Sequence, residues 1–416
     1  MVLRSKMDIQ KLETKIPKKT ITDMELDVEN AYRITEKLAF PRLIGSEGEK
    51  KAIKVILEEL KAGGFEQIYR EKFYTSFYNW ILLRYMFMPL GIILIFLAIS
   101  FFINPLLTIG LFIVNVIMGI KALGFASSCE IKLSKHPERN YETENIYTEL
   151  KSKNPKVKIV FIAHWDSKSQ SFPARIRILI FLIALFGLIL ISFTYLVLSF
   201  IQLFIPFNNA LLNIILFSIS VSITIISNLN YFNKTGNISP GAFDNAAAVG
   251  AVIELSRYYK ENPKDNIDFL FLYTSSEELN LGGIKHFIQK HKDEFDGDST
   301  YFINLDAIGG NELIRLITSY GVPRKTSSER LNKLFLESAK ELKYPLKDIY
   351  AATGVWSDYM PIVQEGFKAC WLASQPGLKY VHTKKDDMTL VSKEGIQKIL
   401  LLCESVVNKL NNNYNS

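Results

Sequence analysis

Two glutamates stand side by side in this sequence, Glu277 and Glu278, in the stretch YTSSEELNLGG that begins as the apolar run IDFLFLY ends. Adjacent carboxylates near the end of a strand repel each other, which costs free energy unless a cation compensates the charge. A metal ion can be that cation, and a carboxylate beside it can act as a general base. The pair therefore indicates a site that combines metal and proton-transfer chemistry.

Other side chains with ligand atoms also follow apolar runs. They are His164 and Asp166 in AHWDS, Asp244 in GAFDNAAA, Asp306 after YFINL, and His382 in YVHTKKDD. Histidine and carboxylate ligands without cysteine suit zinc bound through nitrogen and oxygen. Two metals about 3.5–4 Å apart need one bridging carboxylate and separate terminal ligands. The set is large enough for two such metals, with one acid left over as a base.

The elements between these residues must bring them together. Apolar runs predict strands in KVKIVFIA, NIDFLFLYT, TYFINL and FKACWLAS. Helices are predicted in GSEGEKKAIKVILEELKAGGF, DNAAAVGAVIELSRYY, LGGIKHFIQKH, SSERLNKLFLESAKEL and SKEGIQKILLLCESVVNKL. Alternating strands and helices predict an α/β fold, with a mostly parallel sheet covered by helices on both faces. Such sheets carry their sites at the carboxyl ends of the strands, where all the candidate ligands lie.

Local signals give further expectations. Ser46 and Glu49 have the spacing of a capping box, and the following Gly63-Gly64 pair is expected to end that helix. His286 and His291 lie five residues apart on a predicted helix and are expected to be solvated. Asp386 and Asp387 each have two open interpretations: the residue supports His382, or it is a surface acid.

Two stretches without any charged residue interrupt this pattern, at 85–120 and 178–233. A helix needs roughly 20 apolar residues to cross a bilayer, so each stretch predicts a hairpin of two transmembrane helices. The turns are expected at Asn104-Pro105 and near Pro206–Asn209. The α/β domain would then consist of three segments separated by the hairpins: 1–84, 121–177 and 234–416.

Basic residues flank both hairpins, whereas the turns are uncharged. The flanking residues are Arg84, Lys121, Lys132, Lys135, Lys168, Arg175, Arg177 and Lys234. The positive-inside rule then predicts a multi-pass protein whose α/β domain is cytoplasmic. Two sequons, Asn233-Lys-Thr and Asn237-Ile-Ser, argue for the opposite face.

Composition narrows the classes of function and partner. The net charge is +7, but no arginine-rich or basic-aromatic stretch of the kind that binds nucleic acid occurs. Cys129, Cys370 and Cys403 are far apart, which is typical of reduced thiols. The first twenty residues contain no apolar core of signal-peptide length. Nucleic acid is therefore not an expected partner, and a disulfide framework is not expected.

Six motifs in order resemble the co-catalytic two-zinc aminopeptidases, family twenty-eight of the metallopeptidases. They are AHWDS, GAFDNAAAVGAVIEL, SSEELNLGG, NLDAIGG, WSDYMP and YVHTKKDD, and the resemblance covers about 45–80 and 140–415. It implies the zinc exopeptidase fold, a peptide substrate and two zinc ions per chain.

The resemblance also implies roles for individual residues. One zinc would be held by His164, Asp244 and Asp306. The other would be held by Asp244, Glu278 and His382. Glu277 would be the general base, and Asp166 would orient the ring of His164.

The sequence departs from the family pattern at several positions. Three alanines, 246–248, follow the Asp244-Asn245 pair, and Tyr359 stands where histidine is common. No tyrosine matches the usual position of the oxyanion donor, since Trp356 and Tyr359 are only neighbours of it.

The motifs and the two apolar stretches together make a membrane-anchored zinc aminopeptidase the leading function. The alternatives are a glutaminyl-cyclase-like acyltransferase with one zinc and a non-catalytic membrane scaffold.

Overall fold

The computed structural model describes residues 25–126, 130–207, 209–321, 323–351 and 356–413. Cys129 and the first twenty residues, for which the sequence made predictions, lie outside these ranges. The strands are β1 (Tyr69–Ser76), β2 (Asn140–Leu150), β3 (Val157–His164), β4 (Ser169–Gln170), β5 (Thr235–Gly236), β6 (Ile267–Thr274), β7 (Thr300–Leu305), β8 (Ile314–Tyr320), β9 (Lys325–Thr326), β10 (Leu346–Ala351) and β11 (Lys368–Ser374). The helices are α1 (Val28–Leu38), α2 (Glu47–Ala62), α3 (Tyr78–Ile103), α4 (Pro105–Ala126), α5 (Ala174–Phe204), α6 (Ala210–Leu229), α7 (Ala247–Glu261), α8 (Gly282–His291), α9 (Glu329–Glu341), α10 (Tyr359–Gln364) and α11 (Lys393–Asn412).

Nine strands form one mixed sheet in the order β1-β2-β6-β3-β7-β11-β8-β10, with β9 paired to β8. The four central strands, β6, β3, β7 and β11, run parallel to one another. Antiparallel pairs flank this centre on both sides, β1 with β2 and β2 with β6 on one side and β8 with β11 on the other, and β10 then pairs parallel with β8. The prediction of an α/β fold with a parallel centre is confirmed, and the antiparallel pairs on either side are an addition to it.

Helices cover both faces of the sheet. On β3, Ile159 and Phe161 belong to one buried cluster, which includes residues of α1, α2, α7, α9 and α11. Val160 and Ile162, which point to the opposite face, belong to a second cluster with residues of α8 and α10. A strand buried on both faces reads as an uninterrupted apolar run, and for this reason the four central strands could be predicted.

The capping box expected at the start of α2 is wrong. The hydroxyl of Ser46 has no hydrogen-bond partner among the described residues. Glu49 instead accepts a hydrogen bond from the backbone N–H of Gly45 at 2.6 Å, one residue before the expected donor. The other end agrees with the prediction, since α2 ends at Ala62 and Gly63 follows as its C-cap.

Helices α3 to α6 are long and apolar enough to cross a membrane, with candidate spans at Tyr85–Ile103, Pro105–Ala122, Ala174–Phe204 and Ala210–Phe232. Asn104 separates α3 from α4, and residues 205–209 separate α5 from α6. The four helices pack on one another around a small apolar cluster that includes Leu97, Phe101 and Leu216.

Polar side chains pair inside this bundle, whereas its outer surface is apolar. Asn115 donates a hydrogen bond to Ser192 at 2.9 Å, and Thr224 donates one to the carbonyl of Gly91 at 3.0 Å. Most of the exposed large apolar side chains among the described residues lie on these four helices. Buried polar pairs and an apolar exterior are typical of helices packed in lipid.

Candidate active site

Adjacent parallel strands bring three of the predicted ligands to one edge of the sheet. His164 is the last residue of β3, and Asp306 directly follows Leu305 at the end of the neighbouring β7. Glu277 and Glu278 begin a short 3-10 turn just after β6, on the other side of β3. The carboxyl ends of these strands therefore define the site, as the sequence predicted.

Asp244 lies in a short π-type turn, Ala242–Ala246, before α7 begins, and not within the helix itself. The peptide bond between Asp244 and Asn245 is cis. Asn245 fixes this turn to the end of β7, because its amide donates to the carbonyl of Leu305 at 3.0 Å and accepts from the backbone N–H of Ala307 at 3.2 Å. Asp244 is thereby held beside the two neighbouring strand ends.

Asp386 is fully buried, so it is not a surface acid. Its carboxylate accepts a hydrogen bond from the backbone N–H of Phe243 at 2.8 Å, and its carbonyl accepts one from Ala242 at 3.1 Å. These contacts hold the turn that carries Asp244. Asp386 therefore acts on the segment before Asp244, which neither interpretation of the sequence included.

Backbone conformations in the left-handed region are frequent around the site. His382 has φ 63°, Ser276 before the glutamate pair has φ 58°, and Ala307 after Asp306 has φ 57°. Non-glycine residues adopt this region rarely and at a cost, and such residues concentrate at functional sites. Three of the segments that carry candidate ligands are thus held in uncommon conformations.

The candidate ligands form two groups that share Asp244, and within each group the ligand atoms lie within 4.8 Å of one another. In the first group, His164 Nε2 is 3.1 Å from Asp244 Oδ1 and 3.6 Å from Asp306 Oδ1. In the second group, His382 Nε2 is 3.4 Å from Asp244 Oδ2 and 3.1 Å from Glu278 Oε2. Each oxygen of Asp244 therefore faces a different histidine.

The position of the His164 ring indicates that this donor set fits a metal ion. Its Nδ1 is 3.2 Å from the carbonyl oxygen of Asp166, an arrangement in which Nδ1 carries a proton and donates. Its Nε2 faces the carboxylates of Asp244 and Asp306, and it has no hydrogen-bond partner among the described residues. A cation between these groups would satisfy all of them, as for a zinc-binding imidazole whose other nitrogen is hydrogen-bonded.

The carboxylate of Asp166 mainly holds the turn of the glutamate pair. Its two oxygens accept hydrogen bonds from the backbone N–H groups of Glu277 and Glu278, each at 3.2 Å. It is 3.6 Å from His164 Nδ1, farther than the carbonyl of the same residue. The predicted contact with the histidine thus exists, but its closest atom belongs to the main chain.

The two glutamates differ in their electrostatic surroundings. Burial, together with the charges of Glu278 and other nearby acids, raises the pKa of Glu277 well above its ordinary value. Burial opposes ionisation of Glu278 as well, but the charges of His382 and Lys168 prevail and lower its pKa to about 2. Paired acids whose pKa values are separated in this way are typical of sites that assign them different roles.

Arg42 is a site-supporting residue that sequence reasoning missed. It is fully buried, and its guanidinium donates to backbone carbonyls of Leu38 at 2.9 Å, Pro240 at 2.6 Å and Gly241 at 2.8 Å. It also donates to the carbonyl of Trp165, next to His164. Burial lowers its pKa to about 10, so it is still charged at neutral pH. One side chain thus joins segments 1–84, 121–177 and 234–416.

Two further residues of WSDYMP also contact the site. The hydroxyl of Ser357 donates to the carboxylate of Asp306. Asp358 accepts from the hydroxyl of Thr274 at the end of β6, and burial raises its pKa to about 7. In the sequence this motif indicated only the family resemblance, and its serine gave no separate indication of this contact.

Tyr359 lies away from the site, in the core on the other face of the sheet. Its ring is fully buried, 5.7 Å from that of Trp371 and 5.9 Å from that of Tyr320. Trp356 is partly buried and packs against the same core. Tyr359 is therefore not placed to stabilise an oxyanion, in agreement with the departure seen in the sequence.

The expectation that His286 and His291 are solvated is wrong. His291 is buried, and its Nε2 lies 2.7 Å from Glu71 Oε2. His286 Nε2 is 3.1 Å from the other oxygen of Glu71, and Lys290 Nζ is 2.8 Å from Oε2. This cluster connects β1 with α8 and lies outside the two ligand groups.

Comparison with known proteins gives a family match over part of the chain and a shared fold. Residues 225–407 match the model of peptidase family M28. Aminopeptidase YwaD of Bacillus subtilis is 25% identical over 178 residues, which cover 38% of this chain and 35% of that protein. The match thus spans about a third of that relative's length.

Solved structures share the fold at low sequence identity. BSAP, a zinc aminopeptidase from Bacillus subtilis, has a TM-score of 0.52 and 13% identity, covering 93% of this chain and 96% of that one. A glutaminyl cyclase from an Acidobacteriales bacterium has a TM-score of 0.55 and 14% identity, covering 96% of this chain and 99% of that one. Residues 225–407 thus resemble peptidase family M28, and the chain combines this partial family match with a zinc exopeptidase-like fold and two buried ligand groups.

Proposed function

We propose that this protein is a membrane-anchored zinc aminopeptidase that removes N-terminal residues from peptides. The observation that carries the proposal is the arrangement of two buried ligand groups around Asp244. A carboxylate with one oxygen directed to each group is the bridge that a two-metal hydrolytic site needs.

Each of the seven site residues has a role in this proposal. His164, Asp244 and Asp306 would hold one zinc ion, and Asp244, Glu278 and His382 would hold the other. Zinc bound there would polarise the scissile carbonyl and supply a nucleophilic water at neutral pH. Glu277 takes the proton from the attacking water and returns it to the leaving amine. Asp166 orients His164 and holds the glutamate turn.

The surroundings of Glu277 support its role as the base. Its carboxylate Oε2 is 4.0 Å from His164 Nε2, which places it next to the first ligand group, although it belongs to neither group. Its raised pKa brings it closer to the neutral range, in which one group can both accept and donate a proton. Glu278, whose pKa is about 2, stays anionic, as a metal ligand must.

Anchoring in a bilayer is supported by α3 to α6, whose exposed surfaces are apolar and whose flanks are basic. We infer two hairpins, with the α/β domain on the cytoplasmic side according to the positive-inside rule. The position of Arg42 supports a common side for the three segments of that domain, because its hydrogen bonds reach all three.

A glutaminyl-cyclase-like acyltransferase is the second candidate. It is favoured by the similarity to glutaminyl cyclase structures, whose TM-scores are as high as those of the aminopeptidases. That reaction needs one zinc ion, so it does not require the second ligand group. A non-catalytic scaffold would not require either group.

The test uses the full-length protein, purified in detergent and loaded with zinc. It is offered a panel of aminoacyl reporter substrates and, in parallel, a peptide with N-terminal glutamine. We expect release of N-terminal residues and about two zinc ions per chain by elemental analysis. Cyclisation of the glutaminyl peptide with at most one zinc ion would favour the second candidate. No turnover of either substrate would favour the scaffold.

A further inference from the structure

Lys168 is a buried cation at the site, two residues beyond Asp166, with 3% of its surface exposed. Its ammonium Nζ is 2.8 Å from Glu278 Oε2 and donates to the backbone carbonyl of Glu278 at 3.0 Å. Its own backbone N–H donates to Glu278 Oε1 at 3.3 Å. Lys168 thus contacts both carboxylate oxygens of a single proposed ligand.

The oxygen that pairs with Lys168 is also the oxygen that faces the second ligand group. Glu278 Oε2 is 3.1 Å from His382 Nε2 and 2.8 Å from Lys168 Nζ. A divalent cation bound by this oxygen would therefore lie close to a fixed positive charge. Both charges are shielded from water, so their repulsion is screened only weakly.

The first ligand group has a different environment. The carboxylate of Asp306 accepts a hydrogen bond from Ser357, a neutral partner. Within the described part of the chain, the ion pairs of Asp244 and Asp306 are formed with histidines, which are themselves proposed ligands. Among the described residues, no ion pair joins a lysine to Asp306, the terminal carboxylate of this group. A cation bound here would therefore not share its carboxylate ligand with a lysine.

We propose that Lys168 makes the two metal positions unequal. The position formed by His164, Asp244 and Asp306 binds zinc tightly, whereas the position that contains Glu278 binds it more weakly and exchanges it more readily. This inference rests on the proposed two-zinc function. It adds that the supply of zinc regulates how far the weaker position is filled. Before the second zinc ion binds, Lys168 compensates the charge of the adjacent glutamates.

The experiment measures zinc binding directly, by titrating the metal-free full-length protein in competition with a chromophoric chelator. We expect the native protein to bind two zinc ions in separate steps, with dissociation constants that differ by about a hundredfold. Lys168→Met keeps the length of the side chain but removes its charge. The second step should then tighten about 10- to 100-fold, because the charge that is removed repels a cation bound at Glu278 in a site shielded from water, while the first step changes little.

Two variants serve as controls. Lys168→Arg keeps the charge and should keep the second step weak, even if the hydrogen bonds are rearranged. Lys290→Met removes a lysine that pairs with buried Glu71 at the same 2.8 Å distance, but outside both groups, and should leave both steps unchanged.

Different failures have different consequences. Two equal steps in the native protein overturn the inference and leave the proposed function standing. A second step that weakens in Lys168→Met also overturns it, because Lys168 would then orient the ligand and not oppose the metal. If the native protein binds no zinc at all, the proposed function fails and the inference fails with it.

Discussion

Asp166 Oδ1 accepts a hydrogen bond from the backbone N–H of Glu277 at 3.2 Å, although the two residues are 111 positions apart in the sequence. The other oxygen of Asp166 makes the same contact with the next residue. A proposed base and a proposed ligand are therefore both held, through their main chain, by a carboxylate from the neighbouring strand end. Asp166 is a positioning residue for the glutamate turn as much as for His164.

Replacing Asp166 by Asn tests this positioning. The amide has one acceptor oxygen instead of two acceptors, so one of the two backbone N–H groups loses its partner. We expect kcat to fall about 10- to 100-fold, the range typical of residues that support metal ligands. Zinc content at saturating metal should remain near that of the native protein. A complete loss of zinc would show that Asp166 acts mainly through His164.

Arg42→Lys tests whether one side chain holds the three segments together. An ammonium has three donors and cannot reproduce the contacts that the guanidinium makes with carbonyls in all three segments. Charged hydrogen bonds contribute roughly 1.5–3 kcal/mol each, so we expect a loss of several kcal/mol in the free energy of unfolding.

The same variant should also bind zinc more weakly at temperatures where it is still folded, because the loops of His164 and Asp244 lose their common partner. Arg33→Lys is the matched control, since Arg33 is largely exposed and its ion pair with Glu59 lies outside the site. It should change stability by less than about 1 kcal/mol. Unchanged zinc affinity in Arg42→Lys would limit this residue to a structural role.

The ionisation of Glu71 should make the free energy of unfolding depend on pH. Although burial opposes it, hydrogen bonds from His286, Lys290 and His291 lower its pKa to about 2. A depressed carboxyl pKa stabilises the fold above the unfolded pKa of about 4.3, and this stabilisation is lost as pH falls toward 2. Chemical denaturation should show that Glu71→Gln is destabilised by about 1–3 kcal/mol at pH 6, because three partners lose a charged acceptor. The difference between the two proteins should shrink steadily below pH 4.5, and a constant difference would contradict the assignment.

Membrane topology can be tested with single cysteines. Glu47→Cys and Lys384→Cys lie in exposed positions of the first and last segments of the α/β domain, and Ile205→Cys lies between α5 and α6. An impermeant maleimide added to intact cells should label only Ile205→Cys. Labelling of positions 47 and 384 on opposite faces would refute the two-hairpin arrangement. Labelling of both from outside would reverse the orientation.

The sequence predicted those parts of the fold that depend on local pattern. The central strands are buried on both faces and appear as apolar runs, so β3, β6, β7 and β11 were found within one or two residues. The outer strands β1 and β2 are rich in charged residues, because they alternate between core and solvent and pair with each other. Their strand character comes from pairing across more than 60 residues, which no short window of sequence contains.

The residues of the candidate site also fall into those that local sequence could predict and those that it could not. Its ligands could be predicted because each follows a recognisable strand or begins a helix. Lys168 and Arg42 could not be found, since their partners, Glu278 and Pro240, are 110 and 198 positions away. The repulsion between adjacent glutamates did predict that a cation must be nearby. It did not show that a lysine stands next to one of them in addition to any metal.

Glu277 is proposed to be the base and Glu278 a ligand, and these roles are tested by comparing Glu277→Gln with Glu278→Gln in zinc content and turnover. Glu277→Gln cannot accept a proton, so we expect turnover to fall about 10²- to 10⁴-fold with little change in zinc content or substrate affinity. Glu278→Gln removes an anionic ligand, so zinc should be lost together with activity, and excess zinc should restore part of it. Loss of zinc in Glu277→Gln with retention in Glu278→Gln would mean that the two roles are reversed. Unchanged turnover in both variants would contradict the catalytic account.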